Sequence, residues 1–353
     1  MSWSGIAEVL RMFRSLLTAV LAALAVLGSV EARAQSAVLY GLVDVSASRS
    51  RPAGGLYHWQ LDSGAMTQSF LGFRGTEDLG GGLRAVWKLE SYVKPDTGGT
   101  GRFDGDGMFS RESNVGLSGE FGTTVLGRNV SPLYNATVAF NPFGESMAFS
   151  PSARQYFGNS GVGGVILGDR TWSNSIAYNN SASDKALRVS FVINAEEDPP
   201  GSLSTGRNYG ISLAYITGPF AATVAFERIK NSALALPSGF ERQIAYQAGA
   251  TYDFKLVRIY GQVGRVRTDS DLDATTLLYQ LGAAVPFGNS LVLVAYGRSQ
   301  TRTPFSHITD RIASLGYDYF LSKQTDLYIA ASYEKTFRLS TGTSIAGGVR
   351  LRF

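Results

Sequence analysis

The fold of this chain is decided by an alternating stretch near its end, which reads Ser344-Ile345-Ala346-Gly347-Gly348-Val349-Arg350-Leu351-Arg352-Phe353. Successive side chains of an extended strand point to opposite faces. In this stretch the large apolar residues fall on one face, and both arginines fall on the other. The pattern predicts a β-strand with one apolar and one polar face.

The same period of two recurs along the chain. It is clearest in four further stretches: 39–46, 84–90, 187–194 and 209–215. Alternation with one apolar face is a strand signal. In a soluble sandwich the apolar face would pack into a core, whereas in a membrane barrel it would face lipid and the polar face would line a wet lumen.

The beginning of the chain is typical of an export signal. Residues 16–30 form the only long apolar run, Arg11 and Arg14 precede it, and Ala32-Arg33-Ala34 follows it. A basic region, an apolar run and small residues at the cleavage site predict a signal peptide over 1–34, cut after Ala34. A membrane anchor is the alternative, but the run is short for a helical span of about 20 residues. Either Met1 or Met12 serves as the start.

Composition restricts the class of protein. The net charge of +4 is too balanced to indicate nucleic-acid binding, and the absence of cysteine excludes disulfides and thiol chemistry. Charged residues make up 17% of the chain, against about 25% in soluble domains. No second apolar run is long enough to cross a membrane as a helix, so a membrane protein of this composition must hide its apolar surface in alternating strands.

The mature chain, 35–353, is predicted to be one all-β domain, a transmembrane antiparallel β-barrel of about sixteen strands. Tight turns alternate with longer polar links, as in bacterial barrels, and an even strand number is typical of them. Aromatic residues near strand ends predict interfacial girdles: Tyr40, Tyr92, Tyr209, Phe220, Tyr252, Tyr319, Tyr328 and Phe353. The predicted strands are 37–48, 67–77, 83–93, 109–118, 123–130, 171–179, 186–194, 208–216, 220–230, 242–253, 256–266, 275–285, 290–300, 310–320, 326–336 and 343–353.

One link departs from this plan. Residues 131–170 are too long for an ordinary loop, and a connection of this size is usually functional or disordered. The link carries many aromatic residues, among them Tyr134, Phe140, Phe143, Phe149 and Tyr156. Because disordered segments are poor in such residues, the link is expected to pack against the barrel wall.

Three motifs carry a family resemblance. They are Phe73-Arg74-Gly75-Thr76-Glu77-Asp78-Leu79-Gly80-Gly81-Gly82-Leu83, Ser110-Arg111-Glu112-Ser113-Asn114-Val115-Gly116-Leu117 and Gly122-Thr123-Thr124-Val125-Leu126-Gly127-Arg128. In this order they resemble the general porins of β-proteobacteria, of the Neisseria, Burkholderia and Comamonas type. The opening Leu39-Tyr40-Gly41-Leu42-Val43-Asp44 and the terminal Phe353 also match that family.

The resemblance implies a sixteen-stranded homotrimer in the Gram-negative outer membrane, surrounded by lipid. It implies that the third external loop folds into the lumen and that ions and small hydrophilic solutes diffuse through. It also implies that the insertion machinery reads the last strand with Phe353, and that no cofactor takes part. The expected function is a general diffusion porin with weak anion selectivity.

The resemblance further implies a set of pore-constriction residues. The candidate basic wall consists of Arg74, Lys88, Arg111 and Arg128, and the candidate opposing acids are Glu145 and Asp169. Rings of charged side chains set ion preference in such pores. Opposite charges facing each other across the gap would create a transverse field. Asp169 has the alternative role of capping the loop.

Strand parity supports part of this set. Arg74 and Lys88 fall out of phase with neighbouring apolar residues, whereas Arg111 and Arg128 fall in phase with theirs and rest on the resemblance alone. Relatives often have an arginine four residues before Arg74, where this chain has Phe70. Since Phe70 shares the parity of Arg74, an aromatic ring is expected to narrow the pore there.

Three other functions remain open. An outer-membrane barrel enzyme would need a base beside a nucleophile, but the two histidines, His58 and His307, both fall in predicted loops. A substrate-specific channel on the same fold would need an aromatic ladder or a basic stripe, and the lumen-parity aromatics Tyr40, Phe70 and Tyr92 are scattered in sequence. A soluble β-sandwich or adhesin would bury its apolar strand faces.

Overall fold

The structure, a computed structural model, describes residues 36–159, 162–180, 186–194, 206–230 and 236–353. The predicted signal peptide and its cleavage after Ala34 lie outside the described residues. So do parts of the predicted links near 195–207 and 231–241.

The described residues form twenty strands and two helices. They are β1 (Ser36–Arg51), β2 (His58–Ser63), β3 (Phe70–Gly80), β4 (Leu83–Lys94), β5 (Gly99–Thr100), β6 (Glu112–Gly119), β7 (Gly122–Val130), α1 (Pro132–Ala139), α2 (Pro151–Phe157), β8 (Gly158–Asn159), β9 (Val162–Gly163), β10 (Thr171–Asn179), β11 (Leu187–Asn194), β12 (Tyr209–Thr217), β13 (Phe220–Ile229), β14 (Arg242–Asp253), β15 (Arg258–Asp269), β16 (Ala274–Phe287), β17 (Ser290–Arg302), β18 (His307–Phe320), β19 (Thr325–Thr336) and β20 (Gly342–Arg352).

Sixteen of these strands form one closed antiparallel barrel, and the short β2, β5, β8 and β9 lie in the links between them. Consecutive barrel strands pair along the chain, and β20 returns to pair with β1. At the closing seam, Gly41 and Phe353 exchange backbone hydrogen bonds of 3.0 and 3.1 Å. The sixteen predicted strands are confirmed, since each predicted span overlaps one barrel strand.

Each barrel strand has an exposed, mainly apolar face and a buried, mainly polar face, as the alternation predicts. In β19, Leu327 and Ile329 are exposed, whereas Asp326, Ala330 and Ser332 are buried. We call these two sides the apolar face and the polar face of the barrel. A closed sheet leaves no strand edge unpaired, which is the condition for strands to exist in hydrocarbon.

The girdle prediction is wrong for three of its eight aromatics. Tyr92 and Tyr328 are buried on the polar face, and Tyr40 is half-buried there. A position near a strand end does not determine the face, and the hydroxyl groups of Tyr40 and Tyr328 donate to carboxylates. The Tyr328 hydroxyl, for example, donates to Asp44 at 2.6 Å.

The predicted alternation of short turns and long links holds only for the first part of the barrel. Because β15 and β16 extend further than predicted, their link is only 270–273, and the link between β17 and β18 is only 303–306. These links are no longer than the turns 254–257 and 321–324. His307 is the first residue of β18, so the prediction that it lies in a loop is wrong, whereas His58 lies on β2 within the link between β1 and β3.

A buried ion-pair network ties the closing strands together. Arg350 of β20 donates to Asp318 of β18 at 2.5 Å and to Asp326 of β19 at 2.9 Å. Its third nitrogen donates to Thr67 at 2.9 Å, which fixes the chain just before β3. Because its three nitrogens have three different partners, the planar guanidinium group of Arg350 is fixed in orientation as well as paired in charge.

The two helices lie in the link 131–170 and begin with the same signal. Ser131 accepts a hydrogen bond from the Tyr134 amide, Ser150 accepts one from the Ala153 amide, and a proline follows each serine. Serine caps followed by proline at the first helical position start helices efficiently. In the part of the chain that the structure describes, no helix is long and apolar enough to cross a membrane.

Candidate functional site

The antiparallel register brings the predicted residues of β3 and β4 together. Arg74 lies directly opposite Lys88, and Phe70 lies directly opposite Tyr92. All four lie on the polar face, as parity predicts for Arg74 and Lys88. The Lys88 ammonium group binds Glu112 at 3.1 Å.

Arg111 is the centre of this group. It lies just before β6, and its guanidinium group binds Glu90 at 2.5 Å and Glu145 at 3.3 Å. Because Arg111 lies outside the strand, the alternation of side chains in β6 does not predict the face on which Arg111 lies. Burial by itself lowers the pKa of Arg111, but the charges of Glu145 and Glu90 outweigh burial and raise the pKa, so the group stays charged.

Aromatic rings line the same group. The Arg111 guanidinium carbon lies 4.2 Å from the centre of the Phe70 ring, and that of Arg74 lies 4.7 Å from the centre of the Tyr40 ring. The Tyr40 hydroxyl donates to Glu90. The rings of Tyr40 and Phe70 meet edge to face at 5.9 Å. Three aromatics that are scattered in sequence are thus neighbours in space, because the register aligns three strands.

Arg74 differs from the other cations. Among the described residues it forms no ion pair, and its side chain is exposed. Its contact with Tyr40 is a cation–π contact, which does not neutralise the charge. Arg74 is therefore an exposed cation of this group that has no carboxylate partner among the described residues.

Arg128 and Asp169 belong to a second group. Asp169 binds Arg128 at 2.6 Å and Arg102 at 2.6 Å, and Arg102 also binds Asp106 at 2.8 Å. Asp169 also accepts from the Arg170 amide at 2.7 Å, so it orders the loop backbone as well. Burial by itself raises the pKa of Asp169, but hydrogen bonds from Arg102 and the charges of Arg102 and Arg128 lower it to about 2.

The two predicted acids contact arginines directly. Glu145 lies 3.3 Å from Arg111, and Asp169 lies 2.6 Å from Arg128. The expectation of acids facing a basic wall across an open gap is therefore wrong for these two pairs, because side chains of the link 131–170 reach the wall. At position 70, where the resemblance implies an arginine in many relatives, the guanidinium group of Arg111 covers the Phe70 ring.

Several members of the site are not evident from the sequence pattern. These are Glu90, Arg102, Asp106, Glu112 and Arg170. Glu90 shares the parity of Lys88, so alternation could have found it. Arg102 and Arg170 lie in loops, where no period exists, and only tertiary contacts reveal them.

The link 131–170 packs against the polar face of the distant strands. Helix α1 lies against β11 to β14, and α2 lies against β16 to β18. The carboxylate of Glu227 accepts from the Leu133 amide at the start of α1 at 2.9 Å, where helix amides and the helix dipole favour negative charge. Glycines allow the close approach: a β-carbon on Gly316 would lie 2.9 Å from the ring of Phe143.

Among the residues that the structure describes, no group of three or more His, Asp or Glu side chains could hold a metal ion. The carboxylates of the site are instead occupied by arginine and lysine side chains, so the arrangement suits electrostatic contact with solutes rather than metal coordination.

Known proteins agree with this architecture. The model of the Gram-negative porin family matches residues 18–337. The chain is 31% identical to outer membrane porin protein 32 of Delftia acidovorans over 94% of each chain. It is 28% identical to an outer membrane porin protein of Bordetella pertussis, over 82% of this chain and 84% of that one.

A solved structure shares the fold. The anion-selective porin from Comamonas acidovorans superposes with a TM-score of 0.76 at 25% identity, covering 91% of this chain and 100% of that chain. The closed barrel, the family match and these relatives together show that the chain belongs to the Gram-negative porin family and is a channel of the outer membrane.

Proposed function

We propose that the chain is a general diffusion porin whose link 131–170 lies in the lumen and forms a weakly anion-selective constriction with the wall. The observation that carries this proposal is the position of Arg111, held between Glu90 of the wall and Glu145 of the link. A wall charge and a link charge in direct contact define where the passage is narrow.

The contacts of the link support its place in the lumen. Its helices touch the polar face of strands from β11 to β18, while Glu145 and Asp169 touch arginines at the ends of β6 and β7. These strands lie on different parts of the closed barrel. A single segment can touch the polar face of strands on different parts of a closed barrel only if that segment lies inside the barrel.

The balance of charge supports weak anion preference. The first group has four cations and three carboxylates within its contacts: Arg74, Lys88, Arg111, Arg170, Glu90, Glu112 and Glu145. The second group is balanced between two arginines and two aspartates. Two cations of this group, Arg74 and Arg170, form no ion pair with a described residue, and of these two only Arg74 is exposed. The related Comamonas porin is named anion-selective.

The test is the reversal potential of single channels in a planar bilayer under a salt gradient, for the wild type and for Arg74→Gln. A unit charge at about 5 Å in water is worth roughly 1 kcal/mol, and salt screens part of it. We therefore expect the chloride-to-potassium permeability ratio to fall by about twofold at low salt. The matched control is Lys323→Gln, which removes an exposed cation from a turn.

Three outcomes are decisive. A chloride preference that falls in Arg74→Gln and is unchanged in Lys323→Gln supports the assignment. Cation preference in the wild type means that the carboxylates dominate the constriction. If folded protein gives no conductance steps, the diffusion pore itself is refuted.

Export, assembly and membrane insertion of the chain are part of the same proposal. We propose that residues 1–34 are removed on export, that three copies assemble, and that the terminal strand with Phe353 is the signal read during insertion. Exposed apolar side chains on the first link support assembly: Leu56 is 87% exposed and Trp59 is 75% exposed. Native-gel mobility before and after heating tests the assembly.

We also propose that the chain is not an enzyme. A hydrolase of the Ser-His-Asp type would need a histidine between a nucleophile and a carboxylate. His58 contacts Ser50 at 2.8 Å, but among the described residues no carboxylate contacts its ring. Absence of esterase and protease activity in folded protein that conducts ions tests this statement.

A substrate-specific channel is the second candidate, and one observation favours it. Tyr40, Phe70 and Tyr92 gather around Arg111 and would offer a planar, cationic surface to an aromatic or carboxylate solute. Such a channel would show current that saturates or is blocked by one solute. A linear dependence of conductance on concentration for all small solutes would retain the general pore.

A further inference from the structure

Three cations form a row on the apolar face of the barrel. Arg298 of β17 lies directly opposite Arg311 of β18, and Arg311 lies directly opposite Lys335 of β19. We call Arg298, Arg311 and Lys335 the cation row. Directly opposed residues of antiparallel strands have β-carbons about 5 Å apart, so the row spans roughly 10 Å.

The cation row has no acidic partner. None of its three members forms an ion pair with a described residue, and the Arg298 Nε atom is buried without a hydrogen-bond partner. The Lys335 ammonium group donates only to the Leu339 carbonyl at 3.2 Å. Like charges directly opposite one another destabilise a sheet. A bound anion would reduce the repulsion among the three cations.

Nearby carboxylates are turned to the other face. Glu334 binds Arg154 of α2 at 2.7 Å, and Asp310 accepts from Thr336 at 2.7 Å. By contrast, two other cations on the apolar face, Arg242 and Arg267, share Asp269 at 2.7 Å each. A carboxylate therefore neutralises some basic residues on this face, but none neutralises the members of the cation row.

The cation row lies at the level of the membrane where lipid headgroups are found. Tyr296 and Tyr333 lie on the apolar face two residues from Arg298 and Lys335, respectively. Both tyrosines lie between the cation row and the apolar side chains that form the membrane-facing band of the barrel. Leu327 lies eight residues before Lys335, at the end of β19 next to the turn 321–324. With a rise of about 3.3 Å per residue and a strand tilt of about 40°, the two residues are about 20 Å apart along the barrel axis. Since the apolar band of such barrels is about 25 Å tall, the row sits near its upper boundary.

We propose that the cation row binds the phosphate groups of an outer-leaflet lipid whose acyl chains lie against the apolar face below it. The proposal rests on the outer-membrane location and not on ion selectivity. Arginine suits this role because its planar donors match phosphate oxygens. Two phosphates on one headgroup would bridge the three cations and relieve their repulsion.

The test uses the full chain purified from outer membranes in detergent, and the probe is diphosphoryl lipid A, an acylated disaccharide with two phosphates. Native mass spectrometry measures the bound fraction in a titration. Each basic residue near an anionic surface contributes about fivefold in affinity, so we expect the triple variant Arg298→Gln, Arg311→Gln, Lys335→Gln to bind roughly 100-fold more weakly. The control Arg242→Gln should bind as the wild type does.

Competition decides the source of the phosphate. Zwitterionic phosphatidylcholine should bind the wild type weakly, and inorganic phosphate at the same concentration should not displace the lipid. Equal binding of lipid A by the wild type and the triple variant overturns the proposal, and so does displacement by inorganic phosphate, which would indicate a free-anion site. Conductance steps from the triple variant show that the variant is folded and separate this result from a failure of the porin function.

Discussion

The guanidinium group of Arg111 stacks on the ring of Phe70, with 4.2 Å between its carbon and the ring centre. The same guanidinium group binds Glu90 and Glu145, so one side chain joins an aromatic ring, the barrel wall and the link 131–170. The Phe70 ring thus helps to orient the Arg111 cation beside the wall.

Replacing Phe70 with alanine should loosen this arrangement. A partly desolvated cation–π contact is worth about 1–2 kcal/mol, and loss of the ring also removes volume beside the passage. We expect higher single-channel conductance and larger current noise, measured in a planar bilayer. Phe254→Ala, at an exposed turn position, is the control, and unchanged conductance in Phe70→Ala would contradict the prediction.

Replacing Glu145 with glutamine should increase anion preference. Arg111 would keep Glu90 as a partner but lose the second carboxylate. Since a unit charge about 5 Å from an ion in water is worth roughly 1 kcal/mol before screening by salt, we expect the chloride-to-potassium permeability ratio to rise by about twofold. Glu120→Gln removes an exposed acid from a turn as the control. An unchanged ratio would show that Glu145 is remote from the ion path, and a fall would contradict the prediction.

Asp169 predicts a defined pH dependence of stability. Its pKa of about 2 in the folded protein lies below the unfolded value of about 3.9. The carboxylate therefore stabilises the fold fully above about pH 4, and this contribution is lost as the pH falls through about 2. The unfolding temperature of the wild type should exceed that of Asp169→Asn at pH 5, and the difference should vanish near pH 2.

Two controls accompany this titration. Asp104→Asn changes an exposed carboxylate of the loop that carries Arg102 and should match the wild type at both pH values. A difference between the wild type and Asp169→Asn that is the same at pH 5 and pH 2 would show that Asp169 acts through shape rather than charge.

Replacing Gly264 with alanine should displace α2. A β-carbon at this position would overlap the hydroxyl of Tyr156, and overpacking of this kind costs about 1–3 kcal/mol. We expect a lower unfolding temperature and, if the link narrows the pore, altered conductance. Gly261→Ala is the matched control on the same strand, because its β-carbon would lie 3.7 Å from Leu281, an ordinary contact. Equal stability of both variants would contradict the packing described here.

The exposed first link predicts where copies of the chain meet. Trp59 is 75% exposed and Leu61 is 65% exposed on β2, which pairs with β1. The double variant Trp59→Ala, Leu61→Ala should dissociate at lower temperature on gels run without prior heating, because interface cores rely on large apolar side chains. Leu281→Ala, at a site 68% exposed on β16, should not. If both variants dissociate alike, the interface lies elsewhere.

Much of the fold could be predicted from the sequence. The strand spans and their number follow from alternation, since period two is a local property that each segment carries by itself. The parity of Arg74, Lys88 and Phe70 was predictable for the same reason. The hydrogen-bond partner of Tyr328 was not, because Asp44, which accepts from its hydroxyl, lies at the other end of the chain.

The site depended on contacts that no local pattern contains. Arg111 precedes its strand, so parity cannot place it, and Arg102 meets Asp169 only because two loops converge. The sequence by itself determined the alternating strands and hence a barrel with one apolar and one polar face. The tertiary structure alone decided which charges are neutralised by partners and which, such as Arg74 and the cation row, remain uncompensated, because charge pairing depends on register and loop packing across distant parts of the chain.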